Sequence, residues 1–261
     1  MNRLSTTFAR LKDDNRAGFV AYIMAGDGET AELLDQLPAA GADVIELGMP
    51  FTDPMADGPS IQAAALRALD NGMTLKGTLA LARAFRANHP DTPLVLMGYA
   101  NPVHHMGYAA FARAAADAGV DGLICVDLPP EEDTELREAL AAANISIIRL
   151  ATPTTNDERL KAVAEGSSGF VYYVSTTGVT GMGKGAATDV AEAVKRVQTA
   201  TGLPVAVGFG VRTPEEAAEI ASGGADAVVV GSAIVSANHD GGTKTALELV
   251  RSISAAVRAA S

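Results

Sequence analysis

Eight short, almost continuously apolar runs recur along the chain, each followed by a loop and an Ala-rich stretch that ends at glycine. They are Phe19–Ala25, Val44–Leu47, Leu94–Tyr99, Gly122–Val126, Ser146–Leu150, Phe170–Val174, Pro204–Gly208 and Ala227–Gly231. A run that is apolar throughout fits a parallel strand covered by helices, whereas a half-solvated strand would alternate. The helical stretches carry start signals: Asn156 before Asp157-Glu158, and Thr213 before Pro214-Glu215-Glu216. Their stop signals repeat as Gly-(Ala/Val)-Asp at 41–43, 119–121 and 224–226. Eight such units with no linker predict one (β/α)8 barrel over 1–261, a length close to the roughly 250 residues typical of that fold. A doubly wound open sheet is the competitor, but Ala25-Gly26-Asp27-Gly28 lacks the spacing of a dinucleotide loop.

Composition narrows the partners. The net charge is −11 with no basic run, so a polyanionic nucleic acid or membrane surface would be repelled. An anionic metabolite would have to be met locally, by amides and helix N-termini. The single Cys125 excludes an internal disulfide and fits a reducing compartment. Residues 1–14 read as an amphipathic extra helix with Leu4, Phe8 and Leu11 on one stripe, without a secretory apolar segment. No membrane span is expected, and a cytoplasmic location is. His89, His104, His105 and His239 show no metal-ligand spacing, so no metal is implied.

In such a barrel the chemistry belongs at the C-terminal strand ends. Glu46 is a single acid inside an apolar strand, where burial lifts a carboxyl pKa toward acid–base use. A barrel-core carboxylate satisfied by hydroxyls is the plain alternative. Asp53 and Asp57 lie in a loop punctuated by Pro50, Pro54, Gly58 and Pro59; Asp57 is as readily a cap for the next helix as a catalytic group. The loop 175–185, with four glycines and three threonines, suits a lid. Gly208-Phe209-Gly210 and Gly231-Ser232 end the last two strands, where barrels often hold phosphate with a short extra helix, here Ser232–Val235. Basic residues are scarce at these ends, so amides are expected to hold the anion.

The string Glu46-Leu47-Gly48-Met49-Pro50-Phe51-Thr52-Asp53-Pro54-Met55-Ala56-Asp57-Gly58-Pro59 closely resembles the characteristic motif of the tryptophan synthase alpha subunits. The resemblance extends to Ala25-Gly26-Asp27, Met97-Gly98-Tyr99-Ala100-Asn101-Pro102, Gly178-Val179-Thr180-Gly181, Gly208-Phe209-Gly210 and Gly231-Ser232. It implies a lyase that cleaves indole-3-glycerol phosphate by a retro-aldol reaction into indole and glyceraldehyde 3-phosphate. Glu46 would be the general acid/base and Asp57 the carboxylate facing the indole N–H. Tyr172 would lie near Glu46, and Tyr22, Met97, Ile124 and Phe209 would surround the ring. Gly181, Gly210, Gly231 and Ser232 would cradle the phosphate, and Thr180 would meet Asp57 as the lid closes. Pro50, Asp53 and Pro54 would face a beta subunit in an alpha2-beta2 heterotetramer. No cofactor is implied in this chain; pyridoxal phosphate would belong to the beta subunit.

The sequence departs from the family's pattern at Tyr22, usually phenylalanine, at Gly28, commonly proline, and at Thr176, arginine in some relatives. Three other readings compete. Indole-3-glycerol-phosphate synthase needs a barrel lysine that no strand end offers. A partner-activating module without chemistry would not need both Glu46 and Asp57. A stand-alone lyase releasing free indole would carry the same residues.

Overall fold

The computed structural model describes residues 2–175, 184–208 and 210–260, with 184–189 described by backbone. Nine parallel strands form its sheet: β1 (Gly18–Met24), β2 (Val44–Gly48), β3 (Leu94–Gly98), β4 (Gly122–Cys125), β5 (Ser146–Ile148), β6 (Leu150–Ala151), β7 (Val171–Val174), β8 (Val205–Gly208) and β9 (Ala227–Val230). Their order is β5-β4-β3-β2-β1-β9-β8-β7-β6. The two ends of that order are consecutive pieces of one run, 146–151, so the sheet closes on itself. At the seam the Tyr172 N–H donates to the Arg149 carbonyl at 3.0 Å. The fifth expected strand is therefore one strand interrupted at Arg149, and the architecture is the anticipated (β/α)8 barrel.

Side-chain alternation sorts each strand into two faces. Outward residues such as Phe19, Ala21, Ile45, Leu47, Leu94 and Val228 pack under the helices in the larger core. Inward residues such as Val20, Val44, Val95, Ile124, Ile148 and Phe170 fill the barrel. Leu4, Phe8 and Leu11 of the N-terminal helix Arg3–Asp13 join this inner set and plug the barrel's lower end. Phe8 packs in a tilted arrangement against Phe170, with ring centroids 5.5 Å apart. Gly18 admits the plug: a Cβ there would stand 2.7 Å from Leu11 Cδ1.

The recurring Gly-(Ala/Val)-Asp turn acquires a physical role. Gly41, Gly119 and Gly224 take positive φ at helix ends. The following aspartates then accept from the first amides of neighbouring strands: Asp43 from Phe19 N at 3.1 Å, Asp121 from Leu94 N at 2.9 Å, and Asp226 from Val205 N at 2.7 Å. Arg16 and Arg86 neutralise the first two at 2.7 and 2.8 Å. Three strand starts are thus fixed by carboxylates at the end of the barrel opposite the expected site.

Both proposed helix starts hold. Asn156 caps its helix, and Thr213 with Glu216 forms a reciprocal capping box. The last segment differs from expectation. A helix opening at Ser232 and a long final helix ending at Ala259 are both present, but they meet at a kink at Gly242, with non-helical φ/ψ, rather than across a polar loop. The polar residues 238–243 remain largely helical because the break needs only one glycine. Among the described residues, no helix is long and apolar enough to cross a membrane.

Emptying the plug should be costly. Phe8→Ala is expected to destabilise the barrel by about 3–5 kcal/mol, the usual cost of a buried Phe truncation. Chemical denaturation of the two proteins measures it.

Candidate active site

At the C-terminal ends of the strands a cavity of about 300 Å³ opens, lined by residues of β1, β2, β3, β6, β7 and β9 and of the segments that follow β2, β4, β8 and β9. Small residues hollow it out. Gly48 on β2 leaves room for the Tyr22 hydroxyl, which would lie 2.2 Å from a Cβ at that position. Gly208 on β8 does the same for the Tyr172 hydroxyl, 2.3 Å from its would-be Cβ. Two phenols from opposite flanks therefore reach sideways over neighbouring strands.

Glu46 lies near both phenols. It pairs in register with Tyr22 on one side and Val95 on the other, and alternation turns its side chain inward with theirs. The residue is 0 % exposed. Neither carboxyl oxygen has a hydrogen-bond partner among the described residues. An ionised carboxylate would be strongly penalised there, and burial pushes the pKa up to about 8. The alternative of a carboxylate satisfied by nearby hydroxyls is thereby excluded for the described residues. A proton-carrying acid at neutral pH, facing an apolar cavity, can deliver that proton to carbon.

Asp57 also lines the cavity. It does not cap the following helix: Gly58 occupies the cap position of Pro59–Asp70, with no side-chain cap bond. Burial raises the Asp57 pKa, and the nearby Tyr99 hydroxyl pulls it back down. Tyr99 is a residue that sequence reasoning missed, because an aromatic at a strand end reads as core. Its ring stacks on Phe51 with centroids 5.5 Å apart, and its hydroxyl accepts from the Ala56 N–H at 3.2 Å. One side chain therefore holds both arms of the loop that carries Asp57.

The remaining expected positions divide clearly. Tyr22, Met97, Tyr172, Gly210, Gly231 and Ser232 line the cavity with Glu46 and Asp57. Ile124 is Met97's register partner on β4, fully buried in the inner layer, and is not among the lining residues. Thr180, Gly181 and Phe209 lie outside the described residues, as does Thr176. On the rim, Pro50 is buried, Pro54 half-buried and Asp53 exposed. Met55 beside them is 81 % exposed. Ser232 opens the final helix, whose cap residue Gly231 offers no side-chain acceptor to the first-turn amides. Arg212 also lines the cavity, at strand ends where basic residues were expected to be scarce and amides to hold the anion.

Other titratable candidates do not assemble. Burial, aided by Asp127, pushes the Cys125 thiol up to about 12, far from a reactive thiolate. His89 pairs with Asp35 at 2.9 Å on the surface. Among the described residues there is no metal-binding cluster of three or more His, Cys, Asp or Glu.

The buried acid gives a signed stability prediction. Its folded pKa lies above its unfolded value, so its contribution is fully present in acid and is lost as pH rises through about 8. Glu46→Gln removes that penalty. The variant should be more stable than the parent at pH 8–9, with the difference fading toward pH 4–5, as read by thermal melts across pH.

Comparison with known proteins identifies the family and the fold. The sequence model of the family described as "Tryptophan synthase alpha chain" matches residues 8–259. The chain is 60 % identical over 237 residues to the tryptophan synthase alpha chain of Caulobacter vibrioides, covering 90 % of this chain and 86 % of that one. It is 55 % identical over 263 residues to the alpha chain of Erythrobacter litoralis, covering 100 % of both. The fold is similar to the crystal structure of tryptophan synthase subunit alpha from Legionella pneumophila, with TM-score 0.91, 36 % identity and 98 % of each chain covered. It is similar also to a chain in the structure of Mycobacterium tuberculosis tryptophan synthase, with TM-score 0.90, 38 % identity and 98 % coverage of both.

Proposed function

The chain belongs to the tryptophan synthase alpha chain family, a lyase that cleaves indole-3-glycerol phosphate, and from that premise we propose that Glu46 and Asp57 perform the cleavage. The observation that carries the proposal is the unpartnered, fully buried carboxyl of Glu46 at the floor of the cavity.

The reaction needs one group that first gives a proton to carbon and then takes one from oxygen. Protonated Glu46 donates to indole C3, turning the ring into an iminium-like electron acceptor. The bond between C3 and the side-chain carbon then breaks, and its electron pair returns to the ring. The hydroxyl on that side-chain carbon surrenders its proton to the Glu46 carboxylate as the aldehyde forms. Glu46 ends protonated, and the products are indole and glyceraldehyde 3-phosphate. Asp57 stabilises the positive charge that develops at the ring N–H. Tyr99 serves as a positioning residue for Asp57, lowering its pKa and fixing its loop.

In this reading Tyr22, Met97 and Tyr172 form the ring pocket, with Ile124 supporting Met97 from the layer below. Gly210, Gly231 and Ser232 form the phosphate end, and Gly181, Phe209 and the lid residue Thr180 complete the site. The acid–base chemistry asks for no cofactor in this chain. The family implies a beta-subunit partner. The proposed docking face is the rim loop with Pro50, Asp53 and Pro54, and the exposed Met55 supports it. An alpha2-beta2 assembly, pyridoxal phosphate in the beta subunit, a cytoplasmic location and one barrel domain over the whole chain complete the proposal.

Glu46→Gln is expected to lower cleavage by about 10²–10⁴-fold, the usual worth of general acid–base catalysis. Binding of a non-cleavable substrate analogue should persist. Near-normal turnover by this variant, measured as indole release, would refute the assignment.

The pH profile supplies a second check. Cleavage starts from protonated Glu46, so kcat/KM should fall on the basic side with a limb near pH 8. The acidic limb belongs to Asp57. Removing the hydroxyl in Tyr99→Phe takes away what holds that pKa down, so the acidic limb should move to higher pH while the basic limb stays.

A further inference from the structure

We infer that Arg212 is a specificity-determining residue of this cavity, whose guanidinium receives the phosphate of the substrate alongside the main-chain amides. The inference rests on the lyase reading above and adds to it a residue that the family resemblance does not supply.

Arg212 is the one cation among the described residues that line the cavity. It follows Gly210 and Val211 directly off the end of β8 (Val205–Gly208). Its backbone is fixed, because its N–H donates at 2.6 Å to Glu216, the glutamate of the Thr213 capping box. Arg212 is an exposed lining residue, and its guanidinium is free in a way that most of the chain's arginines are not. Arg16, Arg67, Arg86 and Arg149 are tied to aspartates at 2.6–2.8 Å, whereas Arg212 makes no ion pair among the described residues.

Strand order places this cation usefully. β8 neighbours β9, whose end carries Gly231 and Ser232 and opens the final helix. β1 then separates β9 from β2, the strand that bears Glu46 and leads to Asp57. The apolar cavity is therefore asymmetric in charge, with acids on one flank and a cation on the flank of the uncapped final helix. A ligand with an apolar ring and an anionic tail fits such a cavity in one direction only. The chain as a whole carries −11, so its long-range field repels a phosphate. Attraction must come from groups at the site, and an arginine offers planar, charge-assisted donors for phosphate oxygens.

Arg212→Ala and Arg212→Gln test the inference, with Arg212→Lys as the charge-keeping control. Titration calorimetry would follow glycerol 3-phosphate, inorganic phosphate and indole in each protein, beside steady-state cleavage. Both neutral variants should bind glycerol 3-phosphate about 10-fold more weakly, near the lower end of the loss of one charge-assisted hydrogen bond. Their KM for indole-3-glycerol phosphate should rise by a similar factor, more than kcat changes, and Lys should recover most of the loss. Indole affinity should not move. Added salt should weaken glycerol 3-phosphate binding to the parent more steeply than to Arg212→Ala.

Equal glycerol 3-phosphate affinity in parent and neutral variants overturns the inference. So does a parallel loss of indole affinity, which would mark Arg212 as structural. Failure of the lyase reading looks different: there the parent itself binds no glycerol 3-phosphate, and Glu46→Gln cleaves at the parental rate.

Discussion

A carboxyl group without a hydrogen-bond partner, sealed inside a closed sheet, is the constraint around which the upper half of this molecule is organised. Proteins rarely leave such a group unsatisfied, because the desolvation cost is not returned. Glu46 tolerates it by staying protonated. The neighbouring architecture keeps it so: Gly48 and Gly208 give up side chains so that two phenols can fill the space, and Met97 completes an apolar wall. The lower half of the barrel supplies the rigidity. Its plug of Leu4, Phe8 and Leu11 and its aspartate-pinned strand starts hold the strands in register beneath the cavity.

Division of labour between the two ends follows from this. At the lower end, aspartates are neutralised by arginines or accept from strand amides, and they serve the frame. In the cavity at the upper end, Glu46 and Asp57 are left without an ion pair among the described residues, which is destabilising and chemically useful. Tyr99 links the two regimes. It belongs to the frame through its place at the end of β3, yet it touches Phe51 and Ala56 of the rim loop and tunes Asp57. A displacement of the rim loop would therefore reach Asp57 through one aromatic ring.

Much of this was legible in the residues themselves. The apolar runs located all eight strands to within about a residue, since a strand buried on both faces has no other composition available. Glu46 stood out as a lone acid in such a run, and the structure gives it the burial that the pattern suggested. The split at Arg149 was not legible. There the Arg149 side chain meets buried Asp133 at 2.6 Å and the carbonyls of Ala162 and Val163 at 2.9 and 3.1 Å, partners that only the folded chain brings together. Tyr99 was hidden because its role depends on what the rim loop folds back onto. Arg212 was hidden because a cation before Thr-Pro-Glu-Glu reads as part of a solvated helix start; only the folded chain brings it to the lining of the cavity.

The seam at Arg149 has its own consequence. One short segment supplies the hydrogen-bonding edge for both β4 and β7, through β5 and β6. Until that segment is in place, the two halves of the sheet each present an open row of amides and carbonyls, a template for pairing with other chains. Once it docks, both rows vanish together. Protection against self-association is thus conferred by six residues in the middle of the chain, and a lesion there would be felt as stickiness during synthesis before it was felt as lost catalysis.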